Sequence, residues 1–258
     1  MAHQPIKRLI LFLVSSVGLC LIGIVGGLAN AMPDPMADGW GTIKGQIIFD
    51  GTAPTPENLK VDKDTDHCLS KGPIKSEAWT VDPKSKGVKW VTIFLKPAKG
   101  QSLPVHDSLK AVPSEPAYLD QPLCTFAPHV IAMREGQKLI AKNPAPIPHN
   151  VILSGLSNSM NVSTPAGGSY TFDVNYEPGP ITINCGAHPW MRGHVWVFKH
   201  PYFAVTDDEG RFEIKLAPAG KRQLVIWHEM AGFVPDKNGQ TIDVTANGVL
   251  DLGTIKIK

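Results

Sequence analysis

The sequence predicts an all-β protein of one or two β-sandwiches, on three observations. Short runs rich in β-branched, aromatic and other apolar residues recur along the chain. Turn-forming pairs stand between them, in a chain with 24 Gly and 23 Pro. Amphipathic patterns of helical length are scarce, which argues against a helical bundle. The 43% hydrophobic content sets the chain apart from disordered sequences of similar Gly and Pro richness. A length of 258 residues leaves room for one or two domains.

The chain opens on a targeting segment. Lys7 and Arg8 precede an apolar run over residues 9–28, and Ala29-Asn30-Ala31 offers small residues at signal-peptidase spacing. Residues 1–31 read as an export signal cleaved after Ala31. About 20 apolar residues are also enough to span a bilayer, so a retained anchor is the alternative. Leu19, where a small residue is expected, argues against a lipid on Cys20. Either reading puts the folded part in the periplasm or at the cell surface, and any membrane contact runs through this segment alone. Beyond residue 31 basic and acidic residues balance, which removes the basic field that nucleic acid requires.

The strand candidates then follow in order: residues 45–49, 89–95, 138–141, 149–153, 169–174, 181–184, 195–198, 212–216, 223–227 and 250–258. Asp50-Gly51, Asp82-Pro83, Pro178-Gly179-Pro180, Glu209-Gly210, Ala219-Gly220 and Asn238-Gly239 punctuate them. Residues 51–86 are irregular and hold Cys68, and the Pro-rich residues 98–122 read as a connection. An exported chain with Cys68, Cys124 and Cys185 holds an odd number of thiols, so one stays outside any disulfide pair.

Chemistry concentrates in Cys185-Gly-Ala-His188-Pro-Trp-Met191, with the spacing Cys-x2-His-x2-Met, and in His149 upstream at the start of a strand candidate. A thiolate, two imidazoles and a weak thioether are the donor set of a blue-copper site. Soft sulfur favours Cu(I) and imidazole holds Cu(II), so little rearranges when an electron moves. Each residue has an alternative reading. His149 caps a turn, His188 lies on a surface loop, Met191 packs in a core with Met160 as rival axial group, or Cys185 and His188 pair as nucleophile and base.

The run from Cys185 through His188-Pro-Trp-Met191-Arg-Gly-His-Val195-Trp-Val197 resembles the ligand loop and last strand of cupredoxins, the amicyanin and plastocyanin type in particular. Asn143-x5-His149-Asn150-Val151 resembles the matching upstream segment. The resemblance covers about residues 104–200. It implies a Greek-key β-sandwich, one type 1 copper per chain, and His149, Cys185, His188 and Met191 as ligands. It implies that Asn150 ties the two ligand segments by hydrogen bonds. Ile147, Pro148, Pro189 and Trp190 would ring an exposed edge of His188, where redox donor and acceptor proteins dock transiently. The implied activity is one-electron transfer, without enzymatic turnover.

A second resemblance is weaker. Ala204-Val-Thr206-Asp-Asp-Glu-Gly210-Arg-Phe212-Glu-Ile214, then Ala217-Pro-Ala-Gly220, resembles the carboxypeptidase regulatory-like, transthyretin-type sandwich, as does Gly41-Thr-Ile-Lys-Gly45-Gln-Ile-Ile-Phe-Asp-Gly51. This implies a smaller, discontinuous module over residues 41–103 and 201–258, with the copper domain inserted at 104–200; the alternative is one extended cupredoxin with an appended hairpin domain. Exported bacterial proteins pairing these modules are sometimes labelled methylamine-utilisation proteins, but no residue pattern here shows methylamine chemistry. Cys68 and Cys124 are the disulfide candidates, with His67 leaving a metal-related role open. His106, His129, His194, His200 and His228 show no spacing that names a second metal site. The alternatives to an electron carrier are a copper-binding or storage module, and an adhesion-type sandwich or enzyme in which copper is secondary.

Overall fold

The computed structural model describes residues 39–258. The expected signal or anchor over residues 1–31, with Cys20, lies outside the described residues. Among those described, no helix is long and apolar enough to cross a membrane.

The protein is all-β. β1 (Trp40–Phe49) and β2 (Thr92–Lys96) come first, separated by an irregular stretch whose only helix is the one-turn α1 (Thr65–Cys68). A central block follows: β3 (Ala117–Asp120), β4 (Val130–Arg134), β5 (Lys138–Lys142), β6 (His149–Ser154), β7 (Ser159–Thr164), β8 (Ser169–Asp173), β9 (Ile181–Asn184) and β10 (Arg192–Phe198). The chain closes with β11 (Phe203–Val205), β12 (Arg211–Pro218), β13 (Gly220–His228), β14 (Gly232–Val234), β15 (Gln240–Val244) and β16 (Val249–Ile257). Residues 98–122, expected as a connection, end in a strand, β3. β4, β7, β11, β14 and β15 were likewise not expected from the sequence.

Four sheets stack in sequence. In the central block β3-β5-β8 forms one sheet and β4-β10-β9-β6-β7 the other. Leu119, Leu139 and Phe172 from the first meet Val151, Ile183, Val195 and Val197 from the second in one core. The flanking segments pair with each other across the central block. β1 lies between antiparallel β12 and parallel β16, while β2 lies between β11 and β13. Ile43, Ile47, Ile93, Leu95, Phe212, Ile214 and Leu224 fill the space between those two sheets.

A third apolar layer joins the halves. Trp196 and Phe198 of β10 pack with Val130 of the adjoining β4 and with Trp227 and Phe94 from the facing sheet. Val195 and Val197 point the other way, so β10 is buried on both faces, as the period-2 alternation of a strand allows. Cys68 and Cys124 form a disulfide, Cα to Cα 5.3 Å, which ties the irregular 51–86 segment to the end of the central block.

Candidate metal centre

Sheet register assembles the centre. β6 starts at His149 and runs antiparallel to β9, with Ile152 opposite Asn184. Cys185 follows β9 directly, so it emerges at the same sheet end as His149. Asn184 also pairs with Arg192 of β10, which makes residues 185–191 a closed loop between neighbouring strands. The Met191 N–H donates to the His188 carbonyl at 2.9 Å, tightening its second half.

Three of the four expected ligands present donor atoms to one another. His149 Nδ1 and His188 Nδ1 are 2.9 Å apart, and Cys185 Sγ lies 3.9 Å from the first and 3.8 Å from the second. A point in their plane lies about 2.1 Å from all three, which is metal–nitrogen bonding distance. Cys185 is the free cysteine among the described residues and is buried. Met191 is buried next to the loop. Met160, the rival axial group, is exposed on β7.

The neighbours suit this donor set. His188 Nε2–H donates to Asp64 Oδ2 at 2.8 Å, which leaves the Nδ1 lone pair facing His149 and Cys185. Burial, and then the adjacent His188 ring, push His149 down to about 4, so its imidazole is neutral at neutral pH. Two imidazole nitrogens at 2.9 Å beside a thiol make a donor set suited to a cation that accepts both soft and borderline ligands.

Asn150 lies where the resemblance put it. Its Oδ1 accepts from the Gly186 N–H at 2.8 Å, the Ala187 N–H at 3.2 Å and the Cys185 thiol at 3.2 Å. Its Nδ2–H donates to Asn161 at 2.7 Å, so one side chain ties β6, β7 and the 185–191 loop together. Asn143 braces the approach to His149 by donating to the carbonyls of Ile147 and Thr164, both at 2.8 Å.

The expected exposed edge of His188 is corrected by the structure. His188 is 0% exposed. The 51–86 segment lies over it: Asp64 holds its outer nitrogen, the Cys68 and Cys124 sulfurs lie within 4.8 Å of a ring nitrogen, and Leu59 and Val61 pack on the same core. The disulfide is the physical reason, because it pins an otherwise irregular segment across the loop. Of the expected apolar ring, Pro148 and Pro189 are exposed and Ile147 is half-buried. Trp190 is half-buried too, and its Nε1–H donates to the Cys124 carbonyl at 3.1 Å. Asp64 was not singled out in the sequence, where nothing marks it among the acidic residues of an irregular stretch.

No protein-family profile and no curated protein matches this chain. Among solved structures, a mutant of amicyanin in the Cu(I) state aligns over 32% of this chain and 82% of its own, at 21% identity and a TM-score of 0.29. A purple cupredoxin from Nitrosopumilus maritimus aligns over 32% of this chain and 99% of its own, at 21% identity and a TM-score of 0.28. A copper-containing nitrite reductase from Thermus scotoductus aligns over 37% of this chain but 25% of its own, at 21% identity and a TM-score of 0.29.

Proposed function

We propose that this chain is an exported type 1 copper protein that carries single electrons. The observation that carries this reading is the convergence of His149 Nδ1, His188 Nδ1 and Cys185 Sγ around one point in a buried pocket. In the proposal these three residues hold copper and Met191 supplies a weak axial thioether. Copper held by these residues would supply one-electron Cu(I)/Cu(II) chemistry. The chain's own part is to fix the donors. Asn150 holds the loop, Asp64 sets the His188 tautomer, and burial keeps His149 neutral and water out. Redox proteins dock transiently on the apolar rim of Pro148 and Pro189, beside the covered His188. The flanking strands form the transthyretin-type module, residues 41–103 and 201–258, with the copper domain at 104–200; the pairing of β1 with β12 and β16 supports this division.

The deciding experiment is the visible and EPR spectrum of the Cu(II)-loaded protein. The expected result is an intense thiolate-to-copper band with narrow copper hyperfine splitting. A colourless protein with wide splitting overturns the reading. One observation favours a second reading, copper binding without electron exchange: the burial of His188 under the 51–86 segment. The self-exchange rate separates the two, since a carrier exchanges electrons rapidly and a storage module does not.

A further inference from the structure

A second cluster of donors lies where the two halves meet. His129 immediately precedes β4, His194 lies on β10, and the parallel pairing of these strands puts the two side by side. The His194 N–H donates to the His129 carbonyl at 2.9 Å. Gly193 permits that approach, since a Cβ there would stand 2.9 Å from the same oxygen. Glu229 follows β13 and comes from the flanking strands. Its Oε1 is 2.5 Å from His129 Nε2 and its Oε2 is 3.4 Å from His194 Nε2. Glu77 Oε2 faces the other His129 nitrogen at 3.8 Å.

One ligand atom from each of His129, His194 and Glu229 lies within 4.8 Å of the others. Burial opposes ionisation of Glu229, but hydrogen bonds from His129 and His194 outweigh it and hold the carboxyl well below its usual range. Burial likewise disfavours a charged His129, yet Glu229 and Glu77 raise its affinity for a proton. Two imidazoles and a carboxylate suit a borderline divalent ion, and three protein ligands leave a coordination position free. A cavity of about 350 Å³ lined by Glu77, His129, Glu229 and Met230 gives an ion access, and Trp190 and Met191 of the first centre line it too.

We propose that His129, His194 and Glu229 form a second metal site, which takes a divalent cation of the zinc and copper(II) class at the junction of the two halves. The site contains no sulfur and does not depend on the first centre. It also bridges separate strands of the fold, so its ion stabilises the junction by mass action.

Zinc titration of the metal-free full chain, followed by calorimetry and metal analysis, tests this. The Glu229→Gln and His194→Gln variants are each expected to bind one equivalent fewer than the parent, and to lose the part of the zinc-dependent rise in melting temperature that belongs to it. Cys185→Ala is expected to keep that equivalent. Variants that bind as many equivalents as the parent, at the same affinity, overturn the proposal. Should Glu229→Gln fail to fold by circular dichroism, His194→Gln gives the answer, since His194 makes the longer contact with Glu229. Failure of the first centre would appear separately, as a Cys185→Ala protein that binds metal like the parent.

Discussion

The two histidine clusters stand at neighbouring points of β10, one on the loop that enters it and one within it, yet their chemistry is opposite. His149, His188 and Cys185 form a closed, sulfur-containing set with a single carboxylate, Asp64, on the outer nitrogen of one ring. His129 and His194 face carboxylate directly, and the cavity lined by His129 and Glu229 gives small ions access. Burial with few opposing charges keeps His149 neutral, whereas His129 is drawn towards the charged form by Glu229 and Glu77. The contrast shows that the second layer sets the use of an imidazole: one carboxylate at the back aims a lone pair, and carboxylates at the front demand a cation.

Four changes break or sharpen this contrast. The largest effect belongs to Cys185→Ala, which is expected to abolish the visible band of the copper-loaded protein. A band that survived would remove Cys185 from the ligand set. Next is the double change Cys68→Ser with Cys124→Ser. Opening a loop with a sequence separation of 56 residues is expected to cost about 4 kcal/mol, read as a lower urea midpoint. It also uncovers His188 and speeds electron self-exchange, while zinc stoichiometry at Glu229 stays the same. A slow rate in the opened protein would show that the covering segment does not limit exchange.

Asn150→Ala comes third. It leaves the Gly186 and Ala187 N–H groups without their acceptor, at an expected cost of about 1–2 kcal/mol and with faster copper loss. An unchanged dissociation rate would mean that the loop holds its shape unaided. The fourth change concerns acid sensitivity away from both clusters. Burial, and then Arg134, hold His200 down to about 4, against about 6.5 in an unfolded chain. A histidine with a depressed folded value contributes stability that is complete above pH 6.5 and drains as pH falls towards 4. The metal-free protein is therefore expected to lose about 2 kcal/mol through this group between pH 7 and 5. His200→Gln narrows that difference, and an equal loss in the variant would exonerate His200.

The first centre was largely legible because its donors are local. Cys185 and His188 fall within one strand-to-strand loop and His149 opens the neighbouring strand, so the Cys-x2-His spacing and the resemblance to a cupredoxin ligand loop brought them forward. Asp64 was not legible. It reaches His188 across 124 residues from a stretch without periodicity, and only the disulfide brings it there. The second cluster takes its three side chains from three separate elements, with 100 residues between His129 and Glu229, and no spacing announces such a meeting. The missed strands have equally physical causes. β7 is an edge strand whose one buried residue is Thr164, so it lacks the apolar alternation that marks a half-buried strand. β11 and β14 are three residues long and borrow their order from β2 and β13. β4 is buried on both faces, which erases alternation altogether.

The double burial of β10 has a mechanical consequence. Val195 and Val197 face one core, and Trp196 and Phe198 the other. A slip of one residue would send indole and phenyl rings into a space shaped for valines, and leave voids where the rings belong. Both sides would reject the error at once. The strand therefore has a single setting, and that setting fixes where the 185–191 loop joins it and where His194 meets the second cluster. One doubly keyed strand thus gauges both sets of donor atoms.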